Sequence, residues 1–188
     1  MTDRTPDQLW LVESFLNSID VDSGQDDLYS VGRFRRWLHD HHRPVAAKGV
    51  SEADLALARK IRAGLRELLG GHGGDSPTTT SADIDRRASL TGALGQVPLR
   101  MSIDNEGIGL APAATGVAHV LGEVLSAVVL ANHEGTWRRL KKCRAGTCQA
   151  VFYDRSKNSS RRWCSMAACG NRDKIRTYRD RRTSRPPE

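Results

Sequence analysis

Apolar positions recur at helical spacing along most of the chain, and these recurrences set out its elements before composition is considered. Between Asp7 and Ile19, the residues Leu9, Val12, Leu16 and Ile19 fall on one side with Phe15 beside them, and Pro6 is placed to open the helix. The acidic run DVDSGQDD ends it. A second helix is predicted from Leu28 to about His39, with Val31, Phe34, Trp37 and Leu38 as its buried stripe and Pro44 beyond its end. Ser51 followed by Asp54 is an N-cap with an acid three residues on, opening a helix with Leu55, Ala58, Ile61, Leu65 and Leu68 along one face. The Gly-, Pro- and hydroxyl-rich run Gly70 to Ser81 reads as a flexible loop, and a short helix is expected from Asp83 to Leu94. Leu99, Met101 and Ile103 alternate, DNEG supplies a turn, and Ile108 and Leu110 resume, which predicts a β-hairpin between Pro98 and Ala111. From Ala113 to about Asn132 a wide apolar face built on Val117, Val120, Leu121, Val124, Leu125 and Val128 predicts a central helix.

A chain of 188 residues accommodates one ordinary core and a small appended unit. With 38% hydrophobic and 27% charged residues it reads as a globular chain, neither disordered throughout nor of a membrane class. The longest weakly polar stretch, Gly107 to Asn132, is broken by His119 and Glu123 and reads as a packed helix, so no membrane contact is expected. The opening MTDRTPDQ lacks the basic and apolar blocks of a secretory signal, which points to a cytoplasmic, reducing compartment. Charge is unevenly placed. From Arg138 to Glu188 sixteen Lys or Arg stand against four Asp or Glu, a net of +12, whereas Met1 to Trp137 carries a net of −5. The expected organisation is therefore an acidic, mainly α body over residues 1–135 with a small β-hairpin, followed by a basic module over residues 136–188.

That basic module holds all four cysteines of the chain within 27 positions. Cys143 and Cys148 are separated by four residues, Cys164 and Cys169 by four, and the two pairs by fifteen. Two short loops, each offering a pair of thiolates, suit a structural zinc ion in a tetrahedral site, and four thiolates leave no open position for catalysis. Disulfide pairing and thiol redox chemistry are the lesser alternatives. The spacer supplies a strand at AVFYD, a turn at RSKNSS and a returning strand at RRW, with Trp163 as a lid over a small core. A helix capped by Asn171 is expected next, with Ile175 and Tyr178 inward and Arg172, Lys174, Arg176, Arg179, Arg181 and Arg182 outward. With Arg161 and Arg162, these cations are the candidate nucleic-acid contacts, although part of the charge also serves to neutralise a zinc tetrathiolate. Elsewhere, HExxH, GxSxG, GxGxxG and GxxxxGK[ST] patterns do not occur, His119 reads as a packed side chain and the HDHH run from His39 as a polar helix end, so no enzyme is expected.

The segment LKKCRAGTCQAVFYDRSKNSSRRWCSMAACGNRDKIRTYRDR resembles the CGNR zinc finger, whose tetrapeptide stands here as Cys169, Gly170, Asn171 and Arg172. The body resembles the ABATE domain that usually precedes this finger, a domain of stress-induced transcriptional regulators. Its phenylalanine and Asn-Thr pair correspond to Phe15, Asn17 and Ser18, while Ser14 stands where an acid is often found. The resemblance implies a treble-clef-like zinc ribbon followed by a basic helix, and a regulator that contacts DNA through the finger while the body senses or dimerises. Arginine outnumbers lysine in the basic module, and its planar fork suits phosphate or guanine edges. RNA binding, a small-molecule-binding or enzymatic body with a pocket near Asn17, and a protein-interaction finger remain the alternatives, with a homodimer and a small-molecule effector as further partners.

Overall fold

The computed structural model of the chain describes residues 5–70, 81–104 and 107–176. The first helix, α1, spans Asp7–Leu16 and sinks Leu9, Val12, Phe15 and Leu16 into the core. A narrow ribbon follows, β1 (Ile19–Asp20) against β2 (Gln25–Asp26), which the sequence did not announce because each strand is only two residues long. α2 covers Val31–Asp40, later than expected, because the Ser30 hydroxyl accepts from the Arg33 N–H and sets its start. Phe34, Trp37 and Leu38 are its buried face, and Leu28 is buried from the loop before it. Pro44 opens the short helix α3, Pro44–Lys48, with its missing N–H at the first turn where none is needed.

α4, Glu52–Leu68, begins at a complete capping box in which Ser51 and Asp54 satisfy each other's backbone N–H. Leu55, Ala58, Ile61 and Leu65 are buried as its stripe predicts, whereas Leu68 is exposed and Leu69 is buried beside it; Arg62 and Arg66 are buried as well. Most of the loop expected from Gly70 to Ser81 lies outside the described residues. α5 runs over Ser81–Leu94 and lies along α4. The expected hairpin is present as β3 (Leu99–Asp104) and β4 (Gly107–Pro112), in register from Leu99 opposite Pro112 to Ile103 opposite Ile108. α6, Gly116–His133, is the central helix and packs on α1, α3 and β4. Its Gly122 lies so close to the hairpin that a Cβ there would stand 2.9 Å from Pro112. α6 is also long and apolar enough to cross a bilayer, but Val117, Val120, Leu121, Val124 and Leu125 are buried inside the protein.

The body's core does not stop at Gly135. Trp137, Leu140 and Val151 belong to the same buried cluster as Leu9, Phe15, Leu65 and Val124. A second, smaller cluster of Cys143, Ala145, Phe152 and Cys169, with Trp163 packed against it, forms the interior of the cysteine module. The molecule is thus a mainly helical body with small hairpins and a C-terminal cysteine cluster seated on it.

Candidate metal centre

Two strands bring the first cysteine pair together. β5 (Leu140–Lys142) and β6 (Val151–Tyr153) are antiparallel, with Leu140 opposite Tyr153 and Lys142 opposite Val151. The loop joining them carries Cys143 and Cys148 and is closed by the Cys143 N–H donating to the Ala150 carbonyl at 2.8 Å. β6 therefore pairs with the segment before Cys143, and Arg161–Trp163 forms no returning strand. That segment contributes one rung instead, from the Arg144 N–H to the Arg162 carbonyl at 3.0 Å.

The second pair sits at a helix start. Ser165 is the N-cap, its hydroxyl accepting from the Ala168 N–H, and Met166–Gly170 forms a wide turn that continues as helix over 171–176. Asn171 lies inside this helix and does not cap it, while Ile175 is 53% exposed and does not turn inward. Cys169 falls in the first turn, where its own N–H donates to the Ser165 carbonyl at 3.0 Å.

All four sulfurs lie within 4.8 Å of one another. Cys148 Sγ to Cys164 Sγ and Cys164 Sγ to Cys169 Sγ are each 3.7 Å. A disulfide needs about 2.05 Å, so these are not bonded pairs. Thiolates bound at about 2.3 Å at the corners of a tetrahedron stand about 3.8 Å apart, so the cluster has the dimensions of a site able to hold one metal ion. Charge points the same way. Burial pushes the Cys164 thiol well above its ordinary range and Cys169 up to about 11, with Cys143 and Cys148 adding to both. Burial would raise Cys143 too, but N–H donors from Cys164 and Ala145, with the Cys164 and Cys169 thiols, outweigh it and lower the thiol. A dication is what allows four such groups to be anionic at once.

Asp154 organises the surrounding loop. Fully buried, it accepts from Lys141 Nζ at 2.7 Å, from the Ser156 N–H and hydroxyl at 2.9 and 2.7 Å, and from the Arg161 N–H at 2.8 Å. Burial alone would raise its carboxyl, but these donors hold it down at about 2. Arg161 also donates to the Cys164 carbonyl at 2.7 Å and lies over the Phe152 ring, while Arg162 is exposed and lies 5.5 Å from the Trp163 ring centre. Arg172 donates to the Thr147 hydroxyl at 3.1 Å and reaches Asp22 of the body at 3.5 Å. Arg176 pairs with Asp173, and Lys174 is exposed. Arg179, Arg181 and Arg182, with Tyr178, lie outside the described residues.

Asn17 is placed at the junction with the body. Its amide nitrogen donates to the Val151 carbonyl at 2.8 Å and its amide oxygen accepts from the Val151 N–H at 2.7 Å, imitating a strand partner for β6. Arg66 reinforces the junction by donating to the Leu16 carbonyl at the end of α1 and to the Gln149 carbonyl beside Cys148. Arg62 forms a double contact with Asp26 at 2.6 and 2.8 Å and donates to the Ser18 hydroxyl. These two arginines were invisible to a reading of helix faces that treats arginine as solvent-facing.

A helical body carrying a four-sulfur module able to hold a metal ion is the architecture of a metal-binding finger protein, and the comparisons with known proteins name its families. Residues 139–182 match the CGNR zinc finger. Residues 10–144 match the family ABATE, described as "Putative stress-induced transcription regulator", and the chain belongs to that family. Both are regulatory or zinc-finger families and not catalytic ones. No curated protein matches the chain.

Proposed function

We propose that the protein is a cytoplasmic transcriptional regulator that binds DNA through a finger folded around one zinc ion. Cys143, Cys148, Cys164 and Cys169 are its ligands, and the carrying observation is the gathering of their four sulfurs within 4.8 Å of one another in a segment of net +12. Zinc is the metal favoured by four thiolates, and a site with no vacancy serves to fold the module. Residues 136–188 contact the nucleic acid, through Arg161, Arg162 and the cations from Arg172 to Arg182. Residues 1–135 serve sensing or dimerisation, which would supply the second contact that a module this small needs for selectivity. The family match supports the same reading.

The test measures zinc by elemental analysis and the affinity of holo-protein for fragments of genomic duplex DNA, with structured RNA as competitor. One zinc per chain, duplex binding that survives RNA competition, and loss of binding on chelation are expected. A folded finger without metal would refute the zinc assignment, and preferential capture of the RNA would move the protein to an RNA-binding role.

A further inference from the structure

The end of α4 and the outer face of the finger enclose a cleft of about 590 Å³. Its charged lining is Lys141, Lys142, Arg144, Arg161 and Arg162, with no carboxylate among the described lining residues. Ser159 and Ser160 add hydroxyls, and Leu69 and Gly70 close the side toward the body. The volume lies in the range of pockets that take molecules rather than single ions. Lys141 is committed to Asp154, and Arg161 is tied to the Cys164 carbonyl and the Phe152 ring. Lys142 and Arg162, by contrast, have no carboxylate partner among the described residues. The helix after Cys169 is different, since Arg172 and Arg176 each reach a carboxylate of the protein itself.

We infer that this cleft is a phosphate-binding site, with Lys142 and Arg162 as its principal cations and the Ser159 and Ser160 hydroxyls as further donors. Building on the nucleic-acid reading above, it receives consecutive phosphates of the bound strand. The body then takes part in binding, because Leu69 and Gly70 form one wall. A free polyphosphate or nucleotide presents the same chemistry, and the experiment separates the two sources.

Holo-protein is titrated with duplex DNA at several salt concentrations by fluorescence anisotropy, and with inorganic tripolyphosphate by calorimetry. The variants are Lys142→Gln/Arg162→Gln, Lys174→Gln/Arg176→Gln and Ser160→Glu, the last placing a carboxylate at an exposed position of the lining without removing a cation. Zinc content reports folding, and Ser160→Glu decides the matter if the cleft double variant loses metal. The cleft variants should abolish tripolyphosphate binding, and Lys142→Gln/Arg162→Gln should lower the slope of log affinity against log salt by about 2. If the wild type binds DNA and only Lys174→Gln/Arg176→Gln weakens it, the cleft assignment is wrong while the DNA-binding reading stands. If tripolyphosphate binds in the cleft but neither DNA nor RNA binds, the site stands as one for a free phosphorylated ligand and the nucleic-acid reading falls. If the wild type binds neither probe, both are overturned.

Discussion

Two carboxylates, the buried Asp154 in the finger and the half-buried Asp26 in the body, are each held by a cation and by backbone N–H donation, and they differ in what acid does to them. Both lie below the ordinary value of 3.8, so the stability each lends is complete above that value and is lost as pH falls through its folded value. For Asp154 that loss centres near 2, below the range in which thiolates protonate and release a metal, so its titration is hidden behind metal loss. Asp26 lies outside the cysteine module and gives the cleaner readout. Burial would raise its carboxyl, but the Arg62 hydrogen bonds, the Leu28 N–H and the charges of Arg62 and Arg59 together outweigh it. Removing that charge strands Arg62, whose side chain is 8% exposed. Breaking a buried pair in this way costs about 3–5 kcal/mol, less here because Asp26 is itself 22% exposed. Asp26→Asn should therefore lower the melting temperature clearly at neutral pH. The gap to wild type should narrow as pH drops below the ordinary value of 3.8, where the unfolded chain takes up a proton that the folded carboxyl still resists. Melting curves followed by circular dichroism over that range check this, and a gap independent of pH would show that the ion pair is not what Asp26 contributes.

At the scale of elements, the junction between α1 and β6 is made by side chains acting as backbone. Asn17 gives β6 the two hydrogen bonds a neighbouring strand would give, and Arg66 satisfies the terminal carbonyl of α1 together with Gln149. Asn17→Ala leaves the Val151 N–H and carbonyl without these partners, which costs about 1–3 kcal/mol for each group that water cannot reach. Faster hydrogen exchange at Val151 is expected, with α4 and α6 protected as before; unchanged exchange would mean that the amide does not hold the strand. The elements themselves were legible to different degrees. α4 was readable because its capping box and apolar stripe agree, and β3 with β4 because alternation and turn residues agree. β5 was not, because Leu140–Lys142 is mostly cationic and Lys141 is buried through Asp154 and the Ser159 carbonyl, thirteen and eighteen residues on. The cysteine spacing foretold the gathering of four sulfurs, but not that Ser165 starts the second pair's helix, although Ser165 and Ala168 already had the spacing of an N-cap and its N3 residue. Asn17 was visible as part of a family motif, while its partner Val151 lies 134 residues away, a separation that local pattern cannot bridge.

Across the whole molecule, the boundary drawn by charge and the boundary drawn by packing do not coincide. Charge changes sign near residue 137, yet Trp137, Leu140 and Val151 are 5%, 0% and 2% exposed within the body's own core. The match to the ABATE family likewise runs to residue 144, overlapping the finger's match from residue 139. Division of labour between an acidic body and a basic finger therefore does not imply that they fold apart. Fully burying a large apolar side chain is worth about 1.5–3 kcal/mol, so withdrawing three of them removes an amount comparable to the 5–15 kcal/mol that holds a typical domain together, about 5–9 kcal/mol. The Asn17 and Arg66 contacts to residues 149–151 are lost with them. A chain ending at Gly135 should melt at a much lower temperature than the full chain, or without a cooperative transition. Removing the metal from the full chain is the milder perturbation, because Leu140 and Val151 remain covalently at hand to fill the core even when the sulfur cluster opens. Calorimetry should therefore rank the metal-loaded chain above the chelated chain, and the chelated chain above the truncated one. If the truncated chain melts cooperatively at the temperature of the metal-loaded protein, the shared core contributes nothing and the two parts are joined only by their linker.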